Sequence, residues 1–238
     1  MGMRHQVYVV LPKDHPLAKR TPVIGIHHQW LYGHTAAHQL ARFLTFVMKS
    51  GSSVSHPFLS GIDDPVKILS AIYSCDPENG YYSSVTPLVD EDAVVCKNPL
   101  LGDNNEGITV IDLRNFSIKD GKRTGKIAYA FVSFGHKDFV ENTPMSAREY
   151  VHGYYPEVVP IVREKGKAVP SFDGNDTEAE DRVREVEVLK VAVMTQEALT
   201  EDFPTLKAPA RPQSPAPRSR SGRGGVERRG AHDAGQDP

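Results

Sequence analysis

The chain of 238 residues carries 28 Lys+Arg against 30 Asp+Glu, a formal net charge of -2, with 39% apolar and 24% charged residues. A length of this order predicts one domain, or one domain with an appendage, and the near balance of charge offers no chain-wide track for nucleic acid or an anionic membrane surface. No run reaches the roughly 18 consecutive apolar residues of a spanning helix; residues 40–48 come nearest and are interrupted by Arg42 and Thr45.

Cys75 and Cys96 are too few for a disulfide framework or a Cys-based zinc site. The opening residues lack the apolar stretch of a secretory signal, so the expectation is a soluble intracellular protein, cytoplasmic or nuclear, with no membrane partner.

The small total charge hides strong segregation. Residues 173–202 hold ten acidic and three basic residues, a net of -7, whereas residues 207–238 hold seven basic and three acidic residues, a net of +4. No Leu, Ile, Met, Phe, Tyr or Trp follows Leu206, and five Pro and five Gly do. Such a segment cannot bury enough apolar surface to offset its backbone entropy. The expected organisation is an α+β core domain over residues 1–172, an acidic helical segment packed on it over 173–206, and a disordered basic Pro/Gly/Arg-rich tail over 207–238.

In chain order, residues 5–11 and 22–30 are rich in Val and Ile and predict two strands. Ala37, Leu40, Ala41, Leu44, Val47 and Met48 recur at helical spacing and Gly51 ends the pattern. A second helix is expected from Asp64-Pro65, carrying Val66, Leu69, Ile72 and Tyr73. After a loop-rich stretch, residues 107–113 and 126–134 predict two more strands, with a turn at Lys119-Asp120-Gly121-Lys122. Ser146 and Glu149 form a capping box for a helix to about Tyr154. Thr177 and Glu180 suggest a second box, for a helix reaching about Met194, although the β-branched residues 186–194 also suit a strand; Thr195 caps a last short helix. Strand-strand-helix thus occurs twice, which predicts a mostly antiparallel sheet with its helices packed on one face.

Six of the ten histidines fall within the first 38 residues, four of them at 27, 28, 34 and 38, around the end of the second strand and the start of the first helix. The alternation of a strand and the i, i+4 spacing of a helix allow His28, His34 and His38 to approach one point, a candidate site for a divalent metal. In that reading the chain is a metal-dependent hydrolytic enzyme with Asp103 or Glu106 as acid/base. However, Thr35-Ala36-Ala37 between the last two histidines lacks the Glu of the zincin motif. A second reading takes Arg4, His28, Trp30, Tyr32, Gly33 and His34 as a ligand-binding surface. Gly33 permits a tight turn there, and the helix start offers free amides to a small anion. The catalytic residues are unknown from sequence.

Two common catalytic motifs are incomplete or missing, and a third reading places a contact in the tail. Gly102 and Gly107 have the spacing of a phosphate loop, but Ile108-Thr109 stands where Lys-Ser/Thr is needed. No Gly-x-Ser-x-Gly elbow is present. The Pro, Ser and Arg residues of 212–225 suit a contact with a protein or RNA through the tail.

Met1-Gly2-Met3-Arg4 before a strand, and His28-Gln29-Trp30-Leu31-Tyr32-Gly33-His34 before a helix, resemble a group of uncharacterised phage and microbial proteins. Those open with Met-Gly-Thr-Arg, a strand, and a His/Gln-Trp-Asp-Gly-Tyr turn. The likeness spans about the first 45 residues, with Met3 in place of Thr and Leu31-Tyr32-Gly33 in place of Asp-Gly-Tyr. It implies a strand-strand-helix start and no activity. The leading expectation is a binding or interaction module facing its ligand or protein partner with this His/Trp-rich turn.

Overall fold

The computed structural model describes residues 4–19, 21–29, 31–49, 69, 72–73, 85–88, 99, 106–119, 122–134, 141–156, 159 and 175–207. Strand β1 (Arg4–Val10) pairs antiparallel with β2 (Val23–Gln29), Arg4 opposite Gln29 and Val10 opposite Val23. Helix α1 (Gly33–Lys49) follows, then β3 (Val85–Leu88) and β4 (Ile108–Asp112). The short hairpin of β5 (Ser117–Lys119) and β6 (Lys122–Thr124) leads into β7 (Ala128–Val132). The chain closes with α2 (Ala147–Tyr154), α3 (Asn175–Glu187), β8 (Ala192–Val193) and α4 (Gln196–Asp202).

The class is α+β, and strand-strand-helix does recur, as β1-β2-α1 and as β4-β7-α2 with the β5-β6 hairpin inserted. The sheet, however, is mixed rather than mostly antiparallel. Its order is β3-β2-β1-β4-β7-β8. The lead strands of the two units, β1 and β4, lie side by side in parallel, and β7-β8 is also parallel. Each unit keeps its antiparallel partner on the outside, β2 beside β1 and β7 beside β4. Pairing between the units joins residues about a hundred positions apart, such as Gln6 and Ile108, outside the reach of local pattern.

Helices also cover both faces rather than one. On one face Val7, Val9, Ile24, Ile26, Ile111 and Phe131 pack with Leu40, Phe43 and Leu44 of α1, Tyr150 and Val151 of α2, and Val183 and Val186 of α3. On the other, Tyr8, Val10, Ile108, Val110 and Val132 pack with Leu199 of α4 and with Phe203 and Leu206 beyond it. The rings of Tyr8 and Phe203 meet edge to face at 5.2 Å. Five consecutive buried residues in β4 and six in β1 are the mark of strands covered on both sides.

Strand β3 was not expected from sequence. It is short, contains Pro87 and sits at the sheet edge, the place where a strand tolerates a missing N–H. Helix α3 ends at Glu187 and not near Met194: Lys190 takes a positive φ of 53°, and the chain leaves the helix to add β8. Its predicted cap is also displaced, because the helix already runs at Thr177. Of the helix expected from Asp64, only Leu69, Ile72 and Tyr73 are among the described residues; all three are helical, and Leu69 and Tyr73 are buried. Residues 208–238 of the basic tail, Trp30, Asp103, Cys75 and Cys96 lie outside the described residues. No helix among those described is long and apolar enough to cross a membrane.

Candidate functional site

The turn from β2 into α1 is made by Gly33, whose φ of +50° is in the left-handed region that L side chains avoid. The C-terminal end of α2 rests against it. A Cβ at position 33 would come within 3.1 Å of Tyr155 Cε2 and 3.5 Å of Tyr154 Cγ, so these rings lie on bare backbone. The start of α2 is fixed by the capping box expected from sequence: the Glu149 amide donates to Ser146 Oγ, and the Ser146 amide donates to the Glu149 carboxylate at 2.7 Å. With α2 anchored at that end, its last residues are delivered to the start of α1.

A chain of polar contacts runs beneath these rings. Tyr154 donates its hydroxyl to the Glu106 carboxylate at 2.7 Å, and Tyr150 donates to the Glu106 carbonyl at 2.9 Å. The two hydroxyls are 3.4 Å apart. His5 reaches the same carbonyl through Nδ1 at 3.3 Å and the Thr109 hydroxyl through Nε2 at 2.8 Å. A carbonyl only accepts, so Nδ1 carries the proton and Thr109 donates to Nε2. The Tyr150 ring stacks on Phe131 with centroids 4.4 Å apart and planes 7° apart, which holds the deep end rigid. Nearer the surface, Tyr32 and Tyr154 are 6.2 Å apart, Tyr154 and Tyr155 are 6.4 Å apart, and His34 Nδ1 lies 3.0 Å from the Tyr155 hydroxyl. Tyr32, His34, Tyr154 and Tyr155 are half-buried.

Burial sets the protonation of this cluster. It pushes His5 down to about 3, against the hydrogen bond that the ring donates to the Glu106 carbonyl, so the ring is neutral at physiological pH. Burial raises Tyr150, Tyr154 and Tyr155 above the ordinary phenol range, and these hydroxyls remain protonated donors. His34 is lowered by burial, with Glu178 opposing and Arg182 reinforcing the shift. The Gly33 backbone opposes part of the rise at Tyr150.

The ligand surface expected from sequence is partly assembled. Tyr32, Gly33 and His34 stand together with the end of α2. Arg4 opens β1, and its carbonyl accepts from the Glu106 amide at 3.0 Å. His28 is turned to other work: Nδ1 is 2.6 Å from the Gln29 carbonyl and Nε2 is 2.9 Å from that of Tyr73, and burial lowers its pKa. His38 pairs through Nδ1 with Glu185 at 2.7 Å. His28, His34 and His38 therefore share no partner, and among the described residues no three His, Cys, Asp or Glu side chains are grouped to hold a metal ion. His38 and Glu185 instead line a shallow groove of about 750 Å³ beside Arg42 and Phe46.

His5, Thr109, Tyr150, Tyr154 and Tyr155 are not among the site residues expected from sequence, and Glu106 is expected there as an acid/base. The Tyr154-Tyr155 pair at the end of a well-capped helix was visible, but its position over Gly33 depends on how α2 packs. No known protein family, curated protein or solved structure matches the chain.

Proposed function

We propose that the protein is a binding module whose ligand-facing surface is the β2-α1 turn together with the end of α2. One observation carries this reading: four half-buried rings, Tyr32, His34, Tyr154 and Tyr155, from two separate elements converge around the buried, side-chain-free backbone of Gly33, above a carboxylate held by Tyr154. Aromatic rings combine apolar area with a polar tip and suit the half-wet surface of a recognition site. The rigid base of Phe131, Tyr150 and His5 supplies the pre-organisation that recognition needs.

The test is a thermal-shift screen of the full chain against cationic, neutral and anionic small molecules, repeated on Tyr155→Ala and His34→Ala. Ligands that stabilise the wild-type chain are expected to lose that effect in both variants. Stabilisation that survives in both variants overturns the assignment of this surface.

A further inference from the structure

We infer that the free edge of β8 is a self-association surface, on which a second copy of this chain pairs antiparallel about a twofold axis through Val193. In the parallel β7-β8 ladder Tyr129 stands opposite Val193, and the Met194 amide donates to the Tyr129 carbonyl at 2.7 Å. Successive residues of a strand direct their N–H and C=O groups to alternate sides, so Val193 turns both of its own away from β7, toward the outside of the sheet. Strand β8 is the last in the sheet order, and both of its residues are exposed. No hydrogen bond among the described residues engages the Val193 amide or carbonyl.

The two edges of the sheet are unlike. Strand β3 carries Pro87, which has no N–H to offer a neighbour, whereas β8 presents an intact donor and acceptor. Apolar surface collects at the same place. Among the described residues the exposed large apolar side chains are Leu17, Val188 and Val193, and the last two belong to the turn and strand that form this edge.

The sequence around Val193 fits a reversed copy of itself. Residues 191–195 lie between Lys190, with its positive φ, and the first residue of α4, and Val193 is their midpoint. Antiparallel pairing centred there sets Val193 opposite the partner's Val193, as a pair that exchanges both hydrogen bonds, and Val191 opposite the partner's Thr195. It also brings Lys190, exposed at one end of the segment, to the partner's Glu197, exposed at the other. Opposite charges thus meet at both ends of the contact, where an in-register parallel pairing would set like charges together.

The experiment is sedimentation velocity of the full chain over a concentration series, on wild type, Val193→Lys, Lys190→Glu, and Lys190→Glu combined with Glu197→Lys. Val193→Lys alters no hydrogen bond of the β7 ladder and places two like charges opposite each other across the axis. Wild type is expected to form a dimer with a Kd below about 1 mM. Val193→Lys is expected to weaken it about tenfold or more, Lys190→Glu severalfold, and the double variant to regain most of that second loss. Hydrogen exchange on wild type is expected to show a Val193 amide that becomes more protected as concentration rises. A chain that stays monomeric to about 1 mM, a dimer untouched by Val193→Lys, or Val193 exchange independent of concentration overturns the inference. A double variant no stronger than Lys190→Glu overturns the antiparallel register. If a variant fails to fold, hydrogen exchange on wild type remains decisive.

Discussion

His5 gives the fold a specific dependence on acid. Its ring is fully buried, bonded to Thr109 and the Glu106 carbonyl, and its pKa is pushed down to about 3 from the ordinary 6.5. The folded chain therefore resists a proton that the unfolded chain accepts. The stability linked to this ring is fully present above pH 6.5 and is lost as pH falls toward the folded value. Each pH unit inside that window is worth about 1.4 kcal/mol, so between pH 6.5 and about pH 4.5 the loss from this one ring is roughly 2 to 3 kcal/mol. His5→Gln removes the titration. It also removes buried contacts, which lowers stability at neutral pH by about 1 to 3 kcal/mol. The measurement is urea unfolding of both proteins at several pH values from 4.5 to 7.5. Carboxylates and the other histidines titrate in both, so the difference between the curves isolates His5. The variant is expected to close the gap on wild type as pH falls. Parallel curves, or a gap that widens toward acid, would refute the reasoning.

Four further outcomes follow from named contacts. Arg114 joins Asp112 at the end of β4 to Asp202 and Glu201 of α4, and Arg114→Met leaves two nearly buried carboxylates unpaired, a loss of about 3 kcal/mol or more by chemical denaturation. Asp202 itself is pushed up to about 6 by burial, which outweighs the opposing pull of Arg114. The folded state thus holds its proton more tightly, stability falls as pH rises from 3.8 toward 6, and Asp202→Asn should gain on wild type across that interval. Gly33→Ala forces a side chain into the left-handed region and against Tyr155, costing about 1 to 2 kcal/mol in thermal unfolding at neutral pH. Ser146→Ala removes the cap of α2 and costs about 1 kcal/mol by the same assay.

Local chemistry was legible wherever a short stretch decides the outcome. The Ser146–Glu149 box, the Thr195 cap and the apolar stripe of α1 each specify their element from within. Gly33 was legible as a turn, because few other residues adopt its φ. The parallel ladder between β1 and β4 was not, since their register depends on residues about a hundred positions apart, such as Gln6 opposite Ile108. The two-sided burial of β4 was not plainly written either, since Thr109 and Asp112 interrupt its apolar residues and are buried all the same. At the site, spacing gave His28, His34 and His38 equal claims on one another, but each found a nearer acceptor or donor: the Gln29 and Tyr73 carbonyls, the Tyr155 hydroxyl and the Glu185 carboxylate. Hydrogen-bond satisfaction under burial decided their roles, and all of those partners but Gln29 come from distant sequence.

The central claim is that ligand is met at the rings of Tyr32, Tyr154 and Tyr155. It is tested most directly by NMR of the full chain carrying ¹³C-labelled tyrosine rings, titrated with the strongest stabilising compound from the thermal-shift screen. Saturable shifts of these three rings are expected, with the buried rings of Tyr8 and Tyr73 unmoved. Binding that moves Tyr8 or Tyr73 while leaving Tyr32, Tyr154 and Tyr155 in place would contradict it.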